Sequence, residues 1–411
     1  MTIEHIYVDG YRSLVDVTWQ PASLNVLIGP NRSGKSNLLR ALTLVAQLAQ
    51  KRLSKALTAE GGIHQVLWDG RHPSLRMFMA LNPSNGSPSA YQFELQPMGS
   101  LSSYRFVYES LIAPKTAAEK QESPIQWYLD ERGNTAIGLR DKERRDLRVV
   151  LHRQGNTATI RHEGLPETRV DEVPDEEALI SLSDHPLTLT APQVRKVLSQ
   201  FSMHSSMDVG VDSSIRRAAV TRTEKRLGPD GDNLVAVLHT HYTGNRGFES
   251  LLDESMRAAF GPDYEKLLFP PAEDNRVQMR IRWSSLERQE SAADMSDGTL
   301  RFLFLVAALC MPDPPPLVAI DEPETGLHPS MFPIVAELAE EAAGRTQVIL
   351  TTHSPDFLDA FTEKDASTTV LLNQDGKTVL RKTEGEQLRK WLERYRLGDL
   401  WRSGELEDLG E

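Results

Sequence analysis

Three short apolar runs stand out along the chain. They are Leu24–Ile28, Leu317–Ile320 and Gln347–Leu350, and nearly every position in them is apolar. Runs of this length without polar alternation are typical of parallel strands that are buried on both faces. A polar turn follows each run, as expected where the strands of an α/β sheet end. The pattern therefore predicts three central strands of one parallel sheet.

A helical pattern follows each of these runs. Lys35–Arg52 repeats apolar residues three and four positions apart, which indicates an amphipathic helix. Met331–Ala343 has the same pattern, and Pro329 sets the point at which it begins. After the third run, Ser354 is a good N-cap and Pro355 occupies the first helical position. Three repeats of strand, loop and helix predict a doubly wound sheet.

The middle of the chain has a different periodicity. Ser74–Gln96 and Tyr104–Ile112 alternate like antiparallel strands, and Arg148–His152 with Thr157–Arg161 has the pattern of a hairpin. Helical patterns return between 191 and 260. The expected fold class is α/β, with a mainly parallel core sheet, an antiparallel β subdomain and a helical lobe.

Composition and charge narrow the class of protein. The 411 residues carry a formal net charge of −12, which argues against general coating of nucleic acid. The single cysteine, Cys310, follows the apolar run Phe302–Leu309 and is expected to pack in the core. The N-terminus lacks a secretory signal pattern, and Leu300–Leu309 is too short to cross a bilayer. We therefore expect a soluble, cytoplasmic protein.

A glycine-rich loop follows the first apolar run. Gly29–Ser36 has the spacing GxxxxGK[ST] and stands between a predicted strand and a predicted helix. Its glycines let backbone N–H groups turn towards phosphate oxygens, and the helix N-terminus adds a favourable dipole. Lys35 would reach the β- and γ-phosphates, and the Ser36 hydroxyl would ligate Mg²⁺. The expected nucleotide-binding residues here are Gly29, Pro30, Asn31, Arg32, Ser33, Gly34, Lys35, Ser36 and Asn37.

Acidic residues end the second run. Asp321 is expected to hold the water shell of the magnesium ion, and Glu322 to polarise the attacking water as a general base. Two adjacent acids after a strand are common by chance, so the roles of Asp321 and Glu322 depend on the presence of the phosphate loop at Gly29–Ser36. His353, after the third run, could contact a γ-phosphate, although a lone histidine at such a position is more often structural.

Ser296–Arg301, with the sequence SDGTLR, begins an apolar helical pattern before the second run. A serine and a glycine at a helix start can meet phosphate oxygens, which makes Ser296 and Gly298 candidates for nucleotide contact. A simple helix N-cap is the alternative interpretation.

Four segments occur in the order typical of a known family. They are the phosphate loop (Gly29–Ser36), the signature turn (Ser296–Arg301), the acidic pair (Asp321 and Glu322) and His353. The sequence resembles the ABC-type ATPases of the SMC, RecF and OLD kind, and within them a compact bacterial group of AAA-domain ATPases. The resemblance extends to Gly10–Ser13, Leu227–Leu234, Asp321–Pro329 and Leu397–Trp401, and so spans nearly the whole chain.

The resemblance implies a P-loop ATPase with ATP and Mg²⁺ bound in a head-to-head homodimer or a higher oligomer. Ser296 and Gly298 of one subunit would contact the γ-phosphate bound by the other. Arg12 and Ser13 would lie beside the nucleotide, and Glu324 would lie in the segment that crosses the dimer interface.

Four regions are expected on this basis. ATPase lobe I, with the phosphate loop and the antiparallel subdomain, covers 1–190, and a helical insert lobe covers 191–290. ATPase lobe II covers 291–383, and a C-terminal helical tail covers 384–411. Gln65 and Gln193 are both candidates for the glutamine that senses magnesium and the γ-phosphate in this family.

Two functions of different classes stay open. The first is an ATP-dependent switch that controls a separate effector, with a TOPRIM-like nuclease in bacterial anti-phage defence as the leading partner. The second is a RecF-like DNA repair protein in which ATP gates a clamp on duplex DNA. A transporter motor is less well supported, because the long region between Ser36 and Ser296 does not resemble a compact cassette and no membrane segment is expected.

Some features of the larger relatives have no counterpart in this sequence. The region before Ser296 has no sustained heptads, so long SMC-type arms are not expected. After His353 there is no Asp-x-Asp pair of the kind that OLD nucleases carry. A local basic cluster has three open interpretations: a solvated or ion-paired face, a contact with DNA phosphates, or a protein interface. The cluster consists of Arg216, Arg217, Arg222, Lys225 and Arg226.

Overall fold

The chain forms two compact units in a computed structural model that describes residues 2–82, 88–99, 103–114, 147–160, 167–182, 190–205, 207–383 and 391–408. The first unit comprises Met1–Ala22, Pro30–Phe201 and Leu371–Leu380. The second unit comprises Ser23–Gly29, Ser202–Val370 and Arg381–Glu411. The four regions predicted from the sequence stay a prediction.

An antiparallel sheet dominates the first unit. Its strands are β1 (Thr2–Asp9), β2 (Val17–Trp19), β4 (Leu75–Asn82), β5 (Ser89–Pro97), β6 (Tyr104–Pro114), β7 (Leu147–Gln154), β8 (Thr157–Ile160) and β9 (Thr168–Asp171). They lie in the order β2-β1-β4-β5-β6-β7-β8-β9, and every neighbouring pair is antiparallel. This sheet confirms the antiparallel β subdomain expected from the alternating pattern.

The helices of the first unit are α1 (Lys35–Ala49), α2 (Leu53–Ala59), α3 (Ile63–Val66), α4 (Leu179–Leu182) and α5 (Thr190–Leu198). Helix α1 buries the apolar stripe predicted from its periodicity. It ends before the predicted Arg52, because Lys51 has a φ of +62°, a left-handed conformation through which an α-helix does not continue.

The buried side chain of Arg153 connects residues 174–177 to the antiparallel sheet of the first unit. Arg153, on β7, donates to the carbonyls of Gly155 at 2.8 Å, Pro174 at 2.9 Å and Glu177 at 2.7 Å. Its guanidinium also lies over the ring of Phe106. Burying this cation is tolerated because each of its three nitrogens donates to a carbonyl.

The second unit contains the parallel sheet. Its strands are β3 (Leu24–Ile28), β10 (Ser202–His204), β17 (Leu317–Asp321), β18 (Gln347–Thr352), β19 (Ser367–Gln374) and β20 (Lys377–Thr383), of which the last two extend into the first unit. The order is β10-β17-β18-β3-β19-β20, and the first five strands are mutually parallel. The three central strands confirm the prediction from the apolar runs.

Two small antiparallel sheets complete the strands of the second unit. One comprises β11 (Ala219–Val220), β13 (Pro271–Ala272) and β14 (Arg276–Val277). The other comprises β12 (Tyr264–Leu268), β15 (Arg280–Trp283) and β16 (Glu290–Ser291). Of these strands, only β11 falls inside 191–260, where the pattern is helical, and the other strands follow in the remainder of the predicted insert lobe and at its end.

The helices of the second unit are α6 (Leu234–Gly244), α7 (Arg246–Phe260), α8 (Asp297–Cys310), α9 (Phe332–Ala343), α10 (Pro355–Asp359), α11 (Leu397–Ser403) and α12 (Glu405–Asp408). Helix α8 is buried on almost every side, and Cys310 at its end packs in the core as a free thiol. In the described part of the chain, no helix is both long and apolar enough to span a bilayer. The tail helix predicted from Glu384 falls partly outside the described residues.

Candidate functional site

The carboxyl ends of four parallel strands lie at one edge of the sheet in the second unit. Asp321 is paired with Thr351 and Ile28 with Thr352, so β17, β18 and β3 end together. Strand β10 runs parallel to β17 and ends one position earlier, at His204. The residues that follow these ends are Gly29, Ser205, Glu322 and His353. In an α/β sheet, ligands bind at this kind of edge.

Thr351 organises the acidic pair at the end of β17. Its hydroxyl donates to Asp321 Oδ1 and accepts from the backbone N–H of Glu322 at 3.1 Å. The same N–H also donates to the Thr351 carbonyl at 3.1 Å. Glu322 has a φ of +50°, a left-handed conformation that is uncommon for a residue with a side chain. The surrounding bonds hold this backbone in place, which is typical of functional positions.

The side chain of Glu322 faces solvent beside His353. Glu322 Oε1 lies 3.0 Å from His353 Nδ1, within hydrogen-bonding distance. The two side chains are 37 % and 50 % exposed, so water can reach both. Asp321 and Glu322 are thus adjacent in sequence but differ in surroundings. Asp321 is bound to the sheet, whereas Glu322 presents a carboxylate oxygen next to an imidazole.

Glu324 points into the second unit. Thr352 donates its hydroxyl to Glu324 Oε1 and accepts the N–H of Ser354 at 2.9 Å. Burial raises the pKa of Glu324, and within the described residues its other carboxyl oxygen has no hydrogen-bond partner. The side chain therefore holds the segment after Glu322 against β18.

The predicted signature turn begins α8. Ser296 caps this helix by accepting the N–H of Thr299 at 3.1 Å, as the simple N-cap interpretation expects. Gly298 lies against the carbonyl of Gly326, where an added Cβ would be 3.0 Å from that oxygen. Arg301, one turn further, donates to the Thr325 carbonyl at 3.1 Å. The signature turn and the segment after the acidic pair therefore pack directly on each other.

A cavity of about 260 Å³ lies in the second unit beside these residues. Asp321 and Glu322 line one side of it, and Arg301 and Phe304 of α8 line another. Ser205, which follows β10, also contributes to its wall. The acidic pair and the signature helix therefore share a solvent-filled space.

The phosphate loop has the local geometry its sequence predicts. Gly34 has a φ of +104° and a ψ of +5°, a backbone conformation that residues with a Cβ rarely adopt. Helix α1 follows at once, and among the described residues no side chain caps its N-terminus. By contrast, Asn245, Ser296 and Ser354 cap their helices with side chains. The phosphate loop therefore leads directly into a helix N-terminus, where backbone N–H groups and the helix dipole favour a phosphate.

Lys35 is buried within this loop. Its Nζ donates to the Pro30 carbonyl at 3.2 Å, so the ammonium folds back over the loop. Arg32 also has a left-handed φ of +69°, and its carbonyl accepts from Asn373 Nδ2 at 3.1 Å. Side-chain contacts within the first unit thus support the loop.

Ser13 connects the N-terminal motif to the phosphate loop within the first unit. Its hydroxyl accepts from Asn37 Nδ2 at 2.8 Å and lies 2.7 Å from Thr378 Oγ1. A Cβ on Gly34 would approach the same two hydroxyls. Arg12 has a left-handed φ of +49° and forms an ion pair with Glu60. The predicted residues Ser13 and Asn37 therefore lie in one hydrogen-bonded group around Gly34, whereas the Arg12 side chain pairs with Glu60.

The sequence patterns miss one strand beside the acidic pair and do not decide between the two candidate glutamines. Strand β10 is missed because its three residues are too few for a period to show. Gln65 lies on α3 and Gln193 on α5, and neither follows a strand of the parallel sheet. The glutamine position of the family is therefore unassigned.

Acidic residues neutralise most of the basic cluster. Arg216 contacts Asp297 at 2.5 Å, Arg217 contacts Asp212 at 3.2 Å, and Arg222 contacts Glu224 at 2.6 Å. These pairs support the ion-paired interpretation of the cluster.

A family model with the description "AAA domain, putative AbiEii toxin, Type IV TA system" matches residues 24–110 and 139–359, which is more than half of the chain. The chain belongs to this family. The match includes the phosphate loop, the signature turn and the acidic pair, and it confirms the resemblance to AAA-domain ATPases of the ABC type. A search of curated proteins found no match.

Solved structures of SMC head domains have a similar fold. A head bound to the C-winged helix domain of ScpA superimposes with a TM-score of 0.54 at 14% identity, covering 95% of this chain and 100% of that one. A head with an extended coiled coil, bound to the C-terminal domain of ScpA derived from Pyrococcus furiosus, has a TM-score of 0.51 at 13% identity. That match covers 95% of this chain and 98% of that one. The ABC-type, SMC-head-like fold predicted from the sequence is therefore confirmed.

Proposed function

We propose that this ABC-type ATPase is a molecular switch that binds and hydrolyses Mg-ATP as a head-to-head homodimer. The observation that carries the proposal is the position of Glu322. Its N–H is fixed by both the carbonyl and the hydroxyl of Thr351, and its carboxylate reaches solvent beside His353. A carboxylate held in this way, one residue beyond a strand end, suits a general base that acts on water.

Residues 29–37 bind the phosphates in this proposal. The N-terminus of α1 supplies N–H groups and a favourable dipole, and Lys35 supplies positive charge. Ser36 would ligate the magnesium ion and Asp321 would hold its water shell, because hard cations prefer oxygen ligands. When bound, the ion offsets charge on the phosphate oxygens. Arg12 and Ser13 lie beside the nucleotide.

Glu322 orients the attacking water and accepts its proton. His353 Nδ1 holds one oxygen of this carboxylate at 3.0 Å and leaves the second oxygen for the water. The other ring nitrogen of His353 would then be available to contact the γ-phosphate. General-base catalysis of this kind contributes about a hundredfold or more to the rate.

Dimerisation completes the site. Ser296 and Gly298 of one subunit contact the γ-phosphate bound by the other subunit. Exposure supports this role, because the Asp297 side chain between them is 63 % exposed. A monomer then lacks part of each site and turns over slowly.

The switch acts on a separate effector in this proposal, and a TOPRIM-like nuclease in bacterial anti-phage defence is the leading candidate. The description of the family names a type IV toxin–antitoxin system, and a similar head domain binds a domain of another protein, ScpA. Both descriptions support a protein partner. A RecF-like DNA clamp in repair is the alternative, but the acidic partners of Arg216, Arg217 and Arg222 weaken it.

Phosphate release by purified protein tests the ATPase proposal. Glu322→Gln should lower turnover by about a hundredfold or more while ATP affinity stays within about twofold. Light scattering should then show a doubled molar mass for this variant with ATP and magnesium. Glu337→Gln, at an exposed position on α9, is the matched control and should behave as wild type.

Linear duplex DNA separates the two downstream roles. A switch for a protein effector should show the same ATP turnover with and without DNA. A clamp should show DNA stimulation that high salt abolishes. Unchanged turnover in Glu322→Gln would refute the assignment of the general base in either case.

A further inference from the structure

Arg216 has an unusual position for a member of a basic cluster. Its side chain is only 9 % exposed, whereas that of neighbouring Arg217 is 63 % exposed. Ile215, immediately before it, is fully buried and anchors this part of the loop. The Arg216 guanidinium therefore points into the second unit.

The guanidinium contacts the segment that leads into α8. Nη1 lies within hydrogen-bonding distance of the carbonyls of Ala292 at 3.3 Å, Ala293 at 3.2 Å and Met295 at 2.7 Å. Nη2 donates to Asp297 Oδ1 at 2.5 Å. All four acceptors lie within six consecutive residues that end next to Gly298. One planar cation thus holds the backbone and the side chain of the signature turn.

The loop that carries Arg216 is itself well braced. Arg216 Nε donates to the carbonyl of Val209 at 2.8 Å, and Ser213 Oγ donates to the carbonyl of Asp208 at 2.6 Å. Ser214 Oγ connects the loop to the Asp232 carbonyl at 3.0 Å. A fixed donor of this kind can hold another segment in one orientation.

We propose that Arg216 is a positioning residue that holds the signature turn, so that Ser296 and Gly298 present their donors to the nucleotide of the partner subunit. The inference rests on the proposed function, because it assumes that this turn contacts ATP across a dimer. Asp297 also has a role, because its carboxylate is the charged group that the Arg216 guanidinium binds. The Asp297–Arg216 ion pair forms within one subunit, and the turn that it positions contacts the nucleotide bound by the other subunit.

A lysine cannot replace this arginine. The ammonium is a compact charge, whereas the guanidinium spreads its donors over a plane and reaches several acceptors at once. Arg216→Lys should therefore preserve the charge and lose most of the positioning. A role limited to net charge would predict full rescue by lysine.

The test uses the Glu322→Gln chain as parent, since blocked hydrolysis allows dimers to accumulate. Sedimentation with saturating Mg-ATP gives the dimer dissociation constant, and a fluorescent ATP analogue gives nucleotide affinity under dilute, monomeric conditions. Arg216→Ala and Arg216→Lys should each weaken the dimer by at least about tenfold, the effect of losing one charge-assisted hydrogen bond. Nucleotide affinity of the monomer should stay within about twofold of the parent. Arg217→Ala, in the same cluster but exposed, is the matched control and should dimerise like the parent.

Asp297→Asn provides a second measurement in case Arg216 variants unfold. The Asp297 side chain is largely exposed, so this variant should fold normally and still weaken the dimer. Where Arg216→Ala folds, the double variant Arg216→Ala with Asp297→Asn should be no weaker than Arg216→Ala alone. Parent-like dimerisation of Asp297→Asn, full rescue by lysine, or additive losses in the double variant would each overturn the inference. A parent that stays monomeric with ATP would overturn the dimer proposal itself, which is a different result.

Discussion

Gly34→Ala is the substitution that tests the geometry of the phosphate loop most directly. A Cβ at this position would lie 2.0 Å from Thr378 Oγ1 and 3.0 Å from Ser13 Oγ, both closer than ordinary contacts. Thr378 cannot turn away freely, because its hydroxyl lies 2.7 Å from that of Ser13 and its backbone N–H donates to the Ser13 carbonyl. The change therefore combines backbone strain at a φ of +104° with a steric overlap.

The magnitude can be estimated from these two contributions. A left-handed residue with a Cβ costs roughly 1–2 kcal/mol, and an overpacked contact costs roughly 1–3 kcal/mol. The free energy of unfolding should thus fall by roughly 2–5 kcal/mol in Gly34→Ala. Thr378→Ala alone should cost about 1 kcal/mol, the net value of one hydroxyl hydrogen bond. The double variant removes the overlap, so its loss should be roughly 1–3 kcal/mol smaller than the sum of the two single losses.

Urea unfolding followed by far-ultraviolet circular dichroism measures these free energies. Gly155→Ala is a matched control, since Gly155 has a φ of +60° in the same unit and no atom within 4 Å of an added Cβ. It should show only the backbone contribution, roughly 1–2 kcal/mol. Equal losses at the two glycines, or additive losses in the Gly34 and Thr378 double variant, would refute the steric argument.

Three further predictions concern groups away from the phosphate loop. Burial lowers the pKa of His5 to about 4. The free energy of unfolding should therefore fall by up to about 3 kcal/mol as the pH drops from 6.5 towards 4, because the unfolded state binds a proton that the folded state does not. In urea titrations, His5→Leu should reduce that fall and should match wild type above pH 7. Arg153→Met should lower the free energy of unfolding by at least about 3 kcal/mol, because three carbonyls lose a charged donor. Arg105 is exposed, so the control Arg105→Met should change the free energy of unfolding by less than about 0.5 kcal/mol. Burial raises the pKa of the Cys310 thiol to about 12, so a disulfide reagent at pH 8 should label it only after urea is added; rapid labelling of native protein would contradict its core position.

Much of the site was accessible from sequence because its determinants are local. The strand before each functional segment is apolar at almost every position, and a buried parallel strand has that composition. The loop at Gly34 is equally local, since its glycine spacing and the helix after it lie within a few residues. Residues such as Glu322 are then positioned by chain continuity with a strand.

The unpredicted parts depend on contacts between distant segments. Strand β10 is a three-residue strand, and only its pairing with β17 makes it part of the sheet. Arg216 pairs with an aspartate 81 residues further along the chain, and its own surroundings in sequence are those of a solvated basic patch. Neither periodicity nor composition indicates which of several arginines is buried.

Three consecutive residues at the end of β18 hold the acidic segment from one side. Thr351 bonds to Asp321 and to the N–H of Glu322, Thr352 bonds to Glu324, and His353 meets the Glu322 carboxylate. A shift of this strand end by a fraction of an ångström would therefore displace all three carboxylates at once. The strand end and the three acids are thus one hydrogen-bonded unit, and His353 is its solvent-facing member. A ligand that displaced His353 would therefore displace the Glu322 carboxylate as well.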